Sequence, residues 1–205
     1  MTSQQQKDWI ASKDFFCFDA YGTLLDVHSA LTKKSAQLGE KADAISILWR
    51  IKQLEYSWVY TLNGRYLNFW QLTKDALEYA LDFYKVEKTF QLQKDLQDAY
   101  WRLDCYDEVK SVLSHLKKLH KKLCIFSNGT PSMIESAIES NDLANLNIQI
   151  ISLDPLKCYK TQPKTYQYML DQLNAKHEQC LFFSSNRWDI AGANSFGLET
   201  IWINR

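Results

Sequence analysis

The sequence predicts an α/β fold, a doubly wound and mostly parallel sheet with a helical cap inserted after the first strand. Three observations predict it. From about Asp107 onward, short apolar runs alternate with amphipathic helical segments, and that alternation implies parallel strands covered by helices on both faces. Between Val27 and Tyr106 only a helical period appears. The apolar run that opens the pattern, "FFCF" from Phe15, ends in the carboxylate of Asp19, so a charge stands where a buried strand stops.

The elements follow in order. The first strand leads into Asp19, Tyr21 and Thr23. In the insertion, "AISILWRIKQLEYSWVYTL" and "FWQLTKDALEYALDFY" are strongly helical, and the aromatic stripe Trp49, Tyr56, Trp58 and Tyr60 reads as packing. The α/β pattern resumes in "DEVKSVLSHLKKLH", which places Val109, Val112, Leu113, Leu116 and Leu119 at helical spacing. Its lysine-rich end around His120 reads as solvated. "KLCIFSN" is a short apolar strand. "TPSMIESAIES" begins a helix with Thr130 as N-cap and Pro131 at the first helical position. "NIQIISLD" is a strand, "PKTYQYMLDQLN" a helix, "CLFFSSN" a strand, "WDIAGANSF" a short helix and "TIWIN" the last strand. The expected division is a core of 1–26 and 107–205 and a helical cap subdomain of 27–106.

Bulk properties exclude several classes of function. A chain of 205 residues suits one α/β domain, or a core with a smaller insertion. An apolar share of 46% is enough to bury a substantial core. The 24 basic residues balance 24 acidic ones, leaving no electrostatic footprint for nucleic acid or an acidic membrane. No apolar stretch is long enough to span a bilayer. The N-terminal "MTSQQQKDWIASKD" lacks the apolar core of a signal peptide, so the expected location is cytoplasmic. The cysteines (Cys17, Cys105, Cys124, Cys158 and Cys180) are odd in number and form no Cys-x-x-Cys pair. They read as reduced packing residues. His28, His115, His120 and His177 are scattered and point to no histidine metal site.

In a doubly wound sheet, ligands bind at the carboxyl ends of the strands. Here those ends hold Asp19, Tyr21 and Thr23; then Ser127, Asn128 and Gly129; then Asp154 and Lys160; then Ser184, Ser185 and Asn186, followed by Trp188 and Asp189. One polar strand end could be accident, but four make a site. Taken singly, Asp19 could cap a turn, Arg50 could be a solvated helix residue, Lys160 a surface charge, and Asp189 a partner of a helix dipole.

The stretches "FDAYGTLLDVHS", "LWRIKQLEYSW", "FSNGTP", "YK" and "SSNRWDIAGANSFG", with "WINR" after them, resemble the L-2-haloacid dehalogenases of the haloacid dehalogenase superfamily. The resemblance covers nearly the whole chain, insertion included. Tyr21 and the Ser-Ser-Asn-x-Trp-Asp run separate these enzymes from their superfamily relatives. It implies a Rossmann-like hydrolase core under a cap. The activity it implies is that of an (S)-2-haloacid dehalogenase, which hydrolyses short L-2-haloalkanoic acids to 2-hydroxy acids through an aspartyl ester. No cofactor and no metal are implied. The partners implied are the 2-halo carboxylate substrate and a second copy in a homodimer. Superfamily phosphatases usually carry a second aspartate where Tyr21 stands. A phenol titrating near pH 10 supplies neither a carboxylate ligand nor an acid at neutral pH.

Roles then carry over by resemblance. Asp19 is the nucleophile and Thr23 orients it. Arg50 receives the halide. Ser127 and Asn128 hold the substrate carboxylate. Lys160 and Ser184 position the nucleophile and balance its charge. Asn186 and Asp189 serve hydrolysis. Tyr21, Leu54, Phe69 and Trp188 wall the pocket, and Tyr166 is a second-shell partner of Lys160.

There are departures from the family. Ile51 stands where glutamine commonly follows the cap arginine, removing a polar group from the halide cradle. Thr161 replaces a proline after Lys160. The chain ends at Arg205, where relatives continue with a strand and helix, which leaves the last strand's edge open. Two other readings remain at this point. One is a phosphatase or other hydrolase of the superfamily, against which Tyr21 counts. The other is a catalytically weak binding protein of the same fold, suggested by Ile51 and the early end.

Overall fold

Five strands pair in parallel: β1 (Phe15–Phe18), β2 (Lys122–Ser127), β3 (Gln149–Ser152), β4 (Cys180–Ser184) and β5 (Glu199–Trp202). Their order across the sheet is β3-β2-β1-β4-β5. The structure is a computed structural model that describes residues 2–32 and 38–205; residues 33–37 of the expected insertion lie outside the described residues. Alternate side chains on each strand enter opposite layers. Phe16, Phe18, Leu123, Ile125 and Leu181 join one core, and Phe15, Cys17, Cys124, Phe126, Cys180 and Phe182 the other. Both layers are dry, which is why these strands read as continuous apolar runs. All five cysteines are free thiols.

Helices close both layers. Val109 and Leu113 of α6 (Val109–Lys118) and Met133 and Ile134 of α7 (Pro131–Ser140) cover the first. Tyr166, Met169 and Leu170 of α8 (Pro163–Leu173) and Ala193 of α9 (Arg187–Phe196) cover the second. The Thr130 hydroxyl caps α7 by accepting the amide of Met133, and Pro131 opens that helix. Val112 of α6 and Leu119 just past its end share the helical spacing of the buried residues yet are exposed, while Val109 and Leu113 are buried and Leu116 packs against the core.

The segment between β1 and β2 is helical, with α2 (Ser29–Thr32), α3 (Ala42–Leu62), α4 (Phe69–Phe83) and α5 (Phe90–Trp101). Helices α3 and α4 pack together, and the Trp49 indole donates to the Thr73 carbonyl at 2.7 Å. A further helix, α1 (Ser3–Ala11), precedes β1. Its weak apolar pattern hides it from periodicity. Thr2 and Gln5 form a capping box at its start. Trp9 and Lys13 both reach the Glu199 carboxylate on β5 and fasten that end to the sheet. Among the described residues, no helix is long and apolar enough to cross a membrane.

Candidate active site

Strand order decides where the site lies. From β1 the sheet grows to one side through β2 and β3, and to the other through β4 and β5. The chain therefore diverges between β1 and β4, which opens a crevice at their carboxyl ends. Asp19, immediately after β1, faces that crevice. Gly22 then turns the chain at φ +89°, a conformation open to glycine at little cost. The amides of Thr23, Leu24 and Leu25 all donate to the Ala20 carbonyl, at 3.1, 2.9 and 3.0 Å. This tight return sets the Thr23 hydroxyl against the Asp19 carboxylate, where it donates to Oδ2 at 2.8 Å.

Two further donors fix the Asp19 carboxylate. Asn186 Nδ2, from the start of α9, donates to Oδ2 at 2.8 Å and to the Tyr21 carbonyl at 3.1 Å. Lys160 Nζ donates to Oδ1 at 2.9 Å, to Asp189 Oδ2 at 2.7 Å and to the Phe126 carbonyl at 2.8 Å. All three lysine protons are thus used. Its ammonium lies 4.5 and 5.2 Å from the ring centroids of Phe126 and Phe182. Asp19 is 5% exposed, Lys160 1% and Asp189 0%.

One buried cation between two buried carboxylates is a strongly biased arrangement. Burial by itself would lower the Lys160 pKa, but Asp189 and Asp19 reverse this and hold it above the ordinary lysine value. Burial pushes Asp189 up to about 6, with the Asp19 charge adding to it and Lys160 and Tyr166 opposing. The Tyr21 hydroxyl is raised well above its ordinary value, chiefly by burial. It is a neutral phenol at neutral pH. Its ring lies 5.8 Å from Tyr100 and 5.9 Å from Phe69, forming an apolar wall. Gly129 permits that wall, because a Cβ there would come within 2.8 Å of the Tyr21 ring. Among the described residues, no group of three or more His, Cys, Asp and Glu side chains is placed to hold a metal ion.

Arg50 comes to the site from α3. Its Nη2 donates to the Tyr21 carbonyl at 2.9 Å and its Nη1 to Gln53 Oε1 at 2.8 Å. Asn128 Oδ1 accepts the Lys160 amide at 3.1 Å, and the Ser127 hydroxyl accepts the Gly129 amide at 3.1 Å. These bonds join the ends of β2 and of the segment after β3. Phe69 is buried at the start of α4, Leu54 half-buried on α3, and Trp188 edge-on to Trp58 at 5.6 Å.

The structure adds detail to three expectations. Tyr166 meets Lys160 through Asp189 rather than by a direct hydrogen bond. Its hydroxyl donates to Asp189 Oδ1 at 2.8 Å and reaches the lysine only through that carboxylate, because α8 packs against α9, which carries Asp189. The Ser184 hydroxyl accepts the Asn186 amide at 3.1 Å and so steadies the residue that bonds the Asp19 carboxylate. Ile51 lies at the surface of α3. It is 52% exposed, since the packing of α3 turns Trp49, Gln53 and Ser57 inward.

Sequence reading missed several contributors. Gln53 is one; its place one helical turn from Arg50 was the available signal. Ser185, named at its strand end but given no role, contributes too, its amide donating to Thr23 Oγ1 at 2.9 Å. Tyr159 is a second missed residue. Its amide donates to Thr61 Oγ1 at 3.2 Å and its hydroxyl to the Leu67 carbonyl, while Tyr66 bonds Asp154. These contacts tie the α3–α4 connection to the segment carrying Lys160. Beside the site, a cavity of about 660 Å³ is walled by Trp58, Leu62, Lys160, Trp188 and Phe196, among others. Asp19, Tyr21 and Phe69 are not among its walls, and all three are buried.

A family model described as haloacid dehalogenase-like hydrolase matches residues 13–197. The (S)-2-haloacid dehalogenase 1 of Pseudomonas sp. (strain CBS-3) is 44% identical over 92% of this chain and 83% of its own length. The (S)-2-haloacid dehalogenase 4A of Burkholderia cepacia is 43% identical over 92% and 81%. Among solved structures, the L-2-haloacid dehalogenase of Xanthobacter autotrophicus with chloropropionic acid covalently bound is 34% identical. It superposes with a TM-score of 0.87 over 94% of this chain and 78% of that one.

Proposed function

The chain belongs to the L-2-haloacid dehalogenases, within the haloacid dehalogenase-like hydrolases, and on that premise we propose how its residues carry out the reaction. The activity is hydrolytic dehalogenation of short L-2-haloalkanoic acids to 2-hydroxy acids. The observation that carries the assignment of roles is the Asp19 carboxylate, held by Thr23, Asn186 and Lys160 at 2.8–2.9 Å, with a phenol rather than a second acid two residues on.

In the first step an Asp19 oxygen attacks C2 of the substrate. The carbon–oxygen bond forms as the carbon–halogen bond breaks, and the electron pair leaves with the halide. Asp19 Oδ2 already accepts two hydrogen bonds and Oδ1 one, so Oδ1 keeps the freer lone pair. Halide needs no proton to leave, so no acid is required where Tyr21 stands. Arg50 receives the developing negative charge. The aromatic wall of Tyr21 and Phe69 keeps the nucleophile dry, and Ser127 and Asn128 hold the substrate carboxylate. In the second step water attacks the ester carbonyl at Asp19. Asp189, ionised above about pH 6 in the resting site, takes one water proton; the other passes from the added hydroxyl to the departing alkoxide oxygen, so the 2-hydroxy acid leaves, the Asp19 carboxylate is restored and Asp189 releases its proton to solvent.

The reading extends to organisation. Residues 27–106 act as a cap that brings Arg50 over a core of 1–26 and 107–205. The free thiols suit a cytoplasmic location, and a homodimer is the expected assembly. The test is single-turnover reaction of L-2-chloropropionate in heavy-oxygen water, without added metal. Label should enter Asp19 before it enters product, with an ester detected on the Asp19 peptide. Asp19→Asn should stay folded and form no ester. Label passing directly into product, or phosphate release that depends on magnesium, would overturn the reading.

A further inference from the structure

Gln53 is fully buried on α3, and every polar atom of its amide is committed. Nε2 donates to Thr73 Oγ1 at 2.6 Å and to the Tyr100 hydroxyl at 2.9 Å. Oε1 accepts from Arg50 Nη1 at 2.8 Å and from the Tyr100 hydroxyl at 3.2 Å. The direction of the amide is set independently. The Thr73 hydroxyl spends its one proton on the Phe69 carbonyl at 2.7 Å, so toward Gln53 it can only accept. Nε2 must face Thr73, and Oε1 must face the guanidinium. A buried glutamine costs free energy unless its groups are paired; here the pairing aims one acceptor at Arg50.

We propose that Gln53 is a positioning residue for the halide-leaving step, holding Arg50 in place through a neutral acceptor so that its charge stays free for the departing ion. This rests on the reading of Arg50 given above. The Gln53 amide and the Tyr21 carbonyl, which anchor Arg50, are uncharged. Tyr100, which also faces Arg50, has its pKa raised by burial, so that hydroxyl is neutral as well. A guanidinium carries five N–H donors, so anchoring by neutral groups leaves its charge unpaired. A carboxylate at the same position would anchor equally well, but it would pair with Arg50 and cancel the charge that the leaving halide needs. The neutral amide separates the two tasks.

The experiment compares Gln53→Glu, Gln53→Leu, Arg50→Ala and the double variant Arg50→Ala/Gln53→Glu. Single-turnover ester formation from L-2-chloropropionate, ester hydrolysis, chloride inhibition and thermal unfolding are each measured. Gln53→Glu should slow ester formation on the order of tenfold or more and weaken chloride inhibition similarly, with ester hydrolysis nearly unchanged. In the Arg50→Ala background the same substitution should slow ester formation no further, since its effect runs through the arginine. Gln53→Leu, which loses the anchor but adds no charge, should be the milder of the two in chloride inhibition. Wild-type ester formation by Gln53→Glu, or an equal slowing with and without Arg50, would overturn the proposal. If Arg50→Ala itself forms ester at the wild-type rate, the halide reading beneath it fails instead, and the control identifies which has failed.

Discussion

Replacing Lys160 by methionine keeps an unbranched apolar stem one atom shorter and removes its charge and donors. Three hydrogen bonds vanish, at 2.9, 2.7 and 2.8 Å to Asp19, Asp189 and the Phe126 carbonyl. Two carboxylates are then left buried without their shared cation. Breaking a buried ion pair by removing one partner costs about 3–5 kcal/mol, a large part of the ~5–15 kcal/mol that holds a domain folded. The loss should depend on pH in a definite direction. Burial holds Asp189 at about 6, above its ordinary 3.8. The neutral form is therefore favoured by folding, fully below the ordinary value, and that contribution is lost as pH rises through the folded one. Without Lys160 the folded value climbs further, so the variant should lose stability steadily between about pH 5 and 8. In the wild type the Lys160 contribution is constant there, because its raised pKa is lost only above the ordinary 10.5. The gap between the two proteins should therefore widen from about pH 5 to 8, read as urea midpoints with equal slopes. Adding Asp189→Asn to Lys160→Met should recover part of the loss by removing one stranded charge. A gap under about 1 kcal/mol at the upper pH, or one that does not change with pH, would refute this account of the buried triad.

Arg50→Ala should slow ester formation by about 2–4 kcal/mol in activation free energy and ester hydrolysis much less, as transient kinetics would resolve. Ile51→Gln should change neither activity nor stability beyond about 0.5 kcal/mol, because the side chain faces solvent; a faster enzyme would return position 51 to the halide cradle. Ester should accumulate only as pH falls below about 6, the value of Asp189 in the resting site, because Asp19 carries no charge in the ester and no longer pushes Asp189 upward. Asp189→Asn should accumulate it at every pH, both followed by mass spectrometry of the Asp19 peptide.

Arg50 and Gln53 mark the border between what could be read along the chain and what needed three dimensions. A helix over Ala42–Leu62 is legible from periodicity, yet which stripe it buries is not. Hydropathy would turn Ile47 and Ile51 inward, but both are about half exposed while Gln53 is buried. The rotation of α3 is set by Trp49 docking on Thr73 and by partners on α4 and α5 that satisfy the amide. A polar side chain belongs inside only when such partners exist, and nothing local announces them.

The sequence by itself determined the architecture and marked the strand end where Asp19 stands. Strands buried on both faces must be apolar throughout, so β1, β2 and β4 stand out as runs, and polar residues at their ends mark the crevice. Asp19, Thr23, Lys160, Asn186 and Asp189 were all found this way or through motif resemblance, and all converge. Only the tertiary structure decided how they are wired. Lys160 is 141 residues from Asp19 and 29 from Asp189, and Tyr166 is 23 from the carboxylate it bonds. Which donor meets which acceptor depends on how α8, α9 and the strand ends pack. A hydrogen bond is settled within tenths of an ångström, whereas sequence pattern specifies only the element and the face.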